Sequence, residues 1–261
     1  MNDRSALATG CALLALLTIA QTSRAQDDVA DVPSQDLRIG NDQNQRYFLV
    51  GPAEGSTAPE SGYGLIVVLP GGSGDADFHP FVKRIFKNAL PEGYLVAQPV
   101  AVQWTKQQQI VWPTAKNREQ GMQFTTEEFV DAVIKDIEQK HKLDARRIFT
   151  LSWSSGGPAA YAISLTSDKV AGSFVAMSVF NPKYLPPLAK AKGQRYFIYH
   201  SPEDRICPFR MAEQAAKDLP KNGAVVKFEK YDGGHGWQGP VFDNIRAGIE
   251  WLAENDAPAT K

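Results

Sequence analysis

Cysteine is scarce in this chain, with two in 261 residues, Cys11 and Cys207. That number excludes both a disulfide framework and a cysteine-built zinc site. Histidine is scarce too, with four residues and no His-x-x-x-His spacing, so no metal is expected. Neither sign of charge dominates. Lys+Arg number 28 against 29 Asp+Glu, a formal net charge of −1, and no long basic run occurs, which argues against a nucleic-acid footprint. No glycine-rich loop leads into Gly-Lys-Ser/Thr, so a phosphate cradle is not expected. Internal repeats and a second compositional block are also missing. What is present, 43% hydrophobic and 22% charged residues, is the make-up of a folded chain with a buried core.

The one long apolar stretch is N-terminal. Residues 1–25 carry Arg4, then an apolar run from Cys11 to Ala20, then Ser23-Arg24-Ala25. A charged tip, a short apolar centre and small residues before the cut read as a secretory signal cleaved ahead of Gln26. About ten strongly apolar residues fall short of the roughly 20 that span a bilayer. Cys11 precedes most of the run, whereas a lipid-bearing cysteine would follow it. The expectation is a secreted or periplasmic protein without a stable membrane anchor, its single domain covering 26–261. Cys207 is then its one thiol, expected to act as a small buried hydrophobe.

Residues 27–43 are polar and acidic and read as a loose leading arm. Beyond them, short apolar runs alternate with helical patterns. Tyr47–Val50, Leu65–Leu69, Tyr94–Ala97, Ile148–Leu151, Phe174–Met177, Tyr196–Tyr199 and Val225–Phe228 predict strands, several without polar alternation, as in a parallel sheet buried on both faces. Thr125-Thr126-Glu127-Glu128 has capping-box spacing ahead of Phe129, Val133, Ile134 and Ile137, which predicts a helix. Pro208–Leu219 and Asp243–Glu254 are further amphipathic segments. The alternation implies an α/β fold, a mostly parallel central sheet with helices on both faces.

Three segments carry chemistry. Ile148-Phe149-Thr150-Leu151 runs into Ser152-Trp153-Ser154-Ser155-Gly156-Gly157, and a helical pattern follows. A strand turning sharply into a helix holds a serine hydroxyl clear of the backbone, provided its neighbours are small. That selects Ser154 as nucleophile, with Ser155 the weaker competitor. Ser152 stands where glycine is usual. The loop after Tyr196–Tyr199 offers Glu203 and Asp204, and the loop after Val225–Phe228 holds Asp232 and then His235 between glycines. His79 reads as the start of a helix and His141 as solvent-facing.

The order Ser154…Asp204…His235, with Leu69-Pro70-Gly71-Gly72 and Gly234-His235-Gly236-Trp237, resembles the α/β-hydrolase-fold serine esterases. The likeness is to secreted feruloyl esterases, polyhydroxybutyrate depolymerases and phospholipase/carboxylesterase-type enzymes, over Leu65–Trp251. The departures are Pro70-Gly71 and His200-Ser201, where the family often has His-Gly. The resemblance implies Asp204 as the acid over Glu203 and Asp232, and an oxyanion hole from the backbone N–H groups of Ser155 and Gly72. It also implies hydrolysis of a small-molecule or polysaccharide-linked ester, short or aromatic in its acyl part, with no cofactor. Trp104 and Trp112, flanking Thr105–Gln109, and Trp237 are expected to line a substrate cleft. Two rivals are a prolyl oligopeptidase-like serine peptidase, which usually adds a β-propeller, and a non-catalytic exported binding protein. Oligomeric state is not legible.

Overall fold

The computed structural model describes residues 28–52 and 55–254. The expected signal at 1–25 lies outside them. Eight strands form one sheet, β1 (Ser34–Arg38), β2 (Arg46–Val50), β3 (Tyr63–Leu69), β4 (Tyr94–Pro99), β5 (Leu143–Trp153), β6 (Gly172–Ala176), β7 (Arg195–His200) and β8 (Val225–Lys230). Their spatial order is β1-β2-β4-β3-β5-β6-β7-β8. β1 and β2 pair antiparallel, as do β2 and β4, and every other pairing is parallel.

Every residue of β3, β4 and β6 is buried, which is why those runs show no polar alternation. Among the described residues five helices cover the two faces, α1 (His79–Ala89), α2 (Thr126–Glu138), α3 (Gly157–Ser164), α4 (Phe209–Lys221) and α5 (Val241–Ala253). Side chains of α2, α3 and α4 pack into one core, with Phe129, Tyr161 and Leu219 among them. Those of α1 and α5, including Ile85 and Ile249, fill the core on the opposite face. The capping box at α2 is complete: Thr125 Oγ1 accepts from Glu128 N–H at 3.1 Å, and Glu128 Oε2 accepts from Thr125 N–H at 2.7 Å.

The leading arm departs from expectation. Instead of a loose segment it supplies β1, paired with β2 from Ser34↔Val50 to Arg38↔Arg46. An edge strand with one solvent face needs no apolar run, and charge holds it in place. Asp36 bridges Arg46 at 2.9 Å, while Asp28 and Asp31 bridge Arg84 and Lys87 of α1, each at 2.8 Å.

Candidate active site

Parallel strands deliver their following loops to one edge of the sheet, and three such loops meet there. The first follows β5. Ser154 sits at φ 50°, an uncommon conformation for a residue with a Cβ, and a 3-10 turn over Ser154–Gly156 leads directly into α3. Crowding explains the small residues. A Cβ on Gly156 would lie 2.1 Å from the Leu69 carbonyl oxygen, and one on Gly157 would lie 2.0 Å from Ser178 Oγ. Gly71 is crowded as well, since a Cβ there would stand 2.6 Å from Trp153 Cδ1 and 2.9 Å from Ser154 Cβ. Ser152 is accommodated in place of glycine because its hydroxyl, fully buried, donates to the Phe174 carbonyl at 3.3 Å. Ser178, which the sequence did not flag, donates to the Ser154 carbonyl at 2.6 Å and braces the turn.

The other two loops bring Asp204 and His235. His235 Nε2 lies 3.1 Å from Ser154 Oγ, and its Nδ1 lies 2.8 Å from Asp204 Oδ2. An ionised carboxylate only accepts, so Nδ1 carries the proton and Nε2 is left to accept from the serine hydroxyl. Asp204 Oδ1 accepts from the Ile206 and Cys207 amides, both at 2.8 Å. Burial alone would raise this carboxyl, but the His235 bond and the two amides outweigh it and hold it below the usual carboxylate range. The competing carboxylates are placed otherwise: Glu203 Oε2 accepts from Gly233 N–H at 3.2 Å, and Asp232 is exposed.

A second histidine touches the same carboxylate. His200 ends β7, is 1% exposed, and its Nε2 lies 2.9 Å from the Cys207 carbonyl and 3.1 Å from Asp204 Oδ2. Both partners accept, so Nε2 is protonated. Burial, ahead of the bonds to Cys207 and Asp204, pulls the His200 pKa below the ordinary histidine value. The sequence offered only its place at a strand end, which says nothing of which side chain it meets. Asp204, Cys207 and His235 bring potential metal-ligand atoms within 4.8 Å of one another. Asp204 and His235 are bonded to each other, however, and burial pushes the Cys207 thiol up to about 11.

The glycine loop after β3 closes over the serine turn. Ser155 Oγ donates to the Gly72 carbonyl at 3.0 Å, and Gly72 itself takes a left-handed φ of 59°. The two backbone segments expected to donate to an oxyanion are thereby bound to each other beside Ser154. Trp112 is 2% exposed and its indole N–H donates to the Pro70 carbonyl at 2.9 Å, so it braces the glycine loop, while its ring shares with Trp104 and Phe124 the wall of a small pocket. Trp237, partly buried, packs edge-on to Trp153 at 5.9 Å and near Phe81 and Tyr199, against the opposite core. Trp104 is half-buried, edge-on to Phe124 at 5.0 Å, and keeps an accessible face. His79 opens α1 and is tied to Gln98 and Ser34 at 2.9 and 2.8 Å.

A mostly parallel eight-stranded sheet whose C-terminal edge carries serine, acid and histidine on the loops after β5, β7 and β8 is the α/β-hydrolase fold. Residues 79–251 match the family model of the phospholipase/carboxylesterases, and the chain belongs to that family. It is a carboxylic ester hydrolase. No curated protein sequence matches it significantly. Among solved structures it is similar to a bacterial heroin esterase (TM-score 0.66, 13% identity, 92% of this chain and 91% of that one). It is also similar to fungal esterases of Rhizomucor miehei (0.64, 13%, 95% and 92%) and to Thermogutta terrifontis esterase 2 phosphorylated by paraoxon (0.61, 15%, 89% and 97%). At these identities the likeness concerns the fold.

Proposed function

We propose that the chain is an exported serine esterase in which Ser154, His235 and Asp204 act as a catalytic triad. The observation that carries this reading is the unbroken relay of contacts, 3.1 Å from serine to histidine and 2.8 Å from histidine to aspartate. As Ser154 Oγ attacks the ester carbonyl, His235 Nε2 takes its proton, and Asp204 holds the ring and stabilises its charged form. The Ser155 and Gly72 backbone N–H groups receive the oxyanion. His235 then protonates the departing alcohol, and a water molecule, activated in the same way, releases the acid.

Export is supported by the pattern of residues 1–25. The substrate we propose is a short or aromatic acyl ester, including esters borne on polysaccharide. No long apolar segment of the kind that covers a long-chain lipase site accompanies the motifs, and Trp104 remains as an aromatic face. The test is labelling by a fluorophosphonate probe, followed by hydrolysis of a panel of esters and peptides. Ser154→Ala should abolish labelling and lower turnover by roughly three orders of magnitude or more. Labelling that survives would move the nucleophile, and cleavage of peptides in preference to esters would overturn the substrate class.

A further inference from the structure

His235 stands in a backbone with little stiffness of its own. Gly233, Gly234 and Gly236 flank it at φ of 114°, 79° and 124°, so the loop that must aim the imidazole is built of its most permissive residues. What fixes it comes largely from the acid loop. Ser201, wholly buried at the end of β7, accepts the Gly234 N–H on its Oγ at 3.1 Å and the Glu203 N–H on the same oxygen at 3.1 Å. Glu203 Oε2 accepts the Gly233 N–H at 3.2 Å. Tyr231 adds one bond from within the loop itself, its hydroxyl donating to the Gly234 carbonyl at 3.0 Å. Two consecutive amides just before His235 are thus held by two side chains lying just before Asp204.

We infer that Ser201 and Glu203 are positioning residues, a latch that makes the acid loop and the base loop one rigid unit. A glycine at 201 has no oxygen to offer Gly234. The serine there converts a plain strand end into the point from which His235 is aimed. The latch acts only through His235, so it rests on the triad reading. Misplacing a reacting group by about 1 Å can cost about 100-fold in rate. Substrate contacts are left alone, so the loss should fall on kcat and spare KM.

The experiment uses the full chain and compares Ser201→Ala, Glu203→Ala and Glu203→Gln with the parent and Ser154→Ala. Readouts are kcat and KM on one short-chain ester, and the downfield proton resonance of the His235 Nδ1–H. Ser201→Ala should lower kcat by about 10- to 100-fold with KM unchanged and should broaden that resonance. Glu203→Ala should lower kcat less, by about 3-fold, and Glu203→Gln should restore it, since the amide oxygen still accepts from Gly233. Should Ser201→Ala not fold, judged by near-ultraviolet circular dichroism, the two exposed Glu203 variants decide. Full turnover in Ser154→Ala would overturn the triad itself. Parent kcat and an unchanged resonance in both alanine variants, with Ser154→Ala dead, would overturn the latch alone.

Discussion

Gly157→Ala tests the crowding at the serine turn, because its cost can be worked out and then relieved. Gly157 is already right-handed at φ −64°, so the substitution brings no backbone penalty and only a steric one. The added methyl would stand 2.0 Å from Ser178 Oγ, 2.4 Å from Ser178 Cβ and 3.0 Å from Val175 Cγ1. Overpacking of this kind costs about 1–3 kcal/mol. Ser178 must shift, backbone included, and its 2.6 Å bond to the Ser154 carbonyl is lost, which adds about 0.5–1.5 kcal/mol, the carbonyl keeping its bond from the Gly157 N–H. The sum, roughly 3 kcal/mol, is a sizeable part of a domain's usual stability of about 5–15 kcal/mol. Ser178→Gly alone should cost about 2 kcal/mol through the lost bond and added chain freedom. The double variant should cost scarcely more than Ser178→Gly, so nearly the whole Gly157→Ala cost, about 3 kcal/mol, should appear as coupling. Gly156→Ala should resist any such rescue, since its methyl meets the Leu69 backbone. Urea unfolding of the four Gly157/Ser178 proteins measures the cycle. A Gly157→Ala change within about 0.5 kcal/mol of the parent, or strict additivity with Ser178→Gly, would refute the packing argument.

Asp204→Asn should lower kcat by roughly three to four orders of magnitude, because an amide can turn its NH2 toward His235 and favour the wrong tautomer; Asp232→Asn should stay near the parent, and equal losses would unseat Asp204. Cys207, buried with its thiol pushed up to about 11, should resist a disulfide reagent at about pH 8 in the native state and react fully in denaturant; rapid native modification, read at Cys207 by peptide mass mapping, would contradict its burial. Burial holds the pKa values of His79 and His200 below the ordinary value, so the unfolded chain binds protons that the native state refuses. Stability is therefore kept above about pH 6.5 and falls as pH drops below it, with a shallower slope in His200→Gln, measurable by urea titration between about pH 7 and 5.

Much of the fold was legible because strands buried on both faces have nowhere to hide polar residues. Tyr94–Ala97 and Leu65–Leu69 announced themselves as apolar runs, and β4 and β3 follow them with small extensions. β1 was not legible, since Ser34–Arg38 is held by backbone pairing and by Asp36–Arg46, neither of which leaves an apolar signature. At the site, serine, acid and histidine could be ordered along the chain because each stands in a distinctive local setting. Ser201 could not be assigned, because its partner Gly234 lies on a loop that meets it only when β7 and β8 are side by side. The contacts of His200 depend on how its own following loop folds back to bring Asp204 and Cys207 against the ring. The bracing of the glycine loop by Trp112 was not legible either, since only the fold brings its indole N–H under the Pro70 carbonyl.

The polar strand β1 has a bearing on solubility. Beneath it lies β2, whose Tyr47, Phe48, Leu49 and Val50 are all buried and whose backbone pairs on its outer side with β1 alone. An apolar strand with a free row of N–H and C=O groups is a template for pairing with another chain. Asp36, Arg38 and Arg46 hold the covering strand, and the Asp28–Arg84 and Asp31–Lys87 bridges fasten its approach to α1. Residues remote from Ser154 thereby guard the enzyme against self-association, and a chain stripped of β1 would carry an intact nucleophile turn on a sheet open to aggregation.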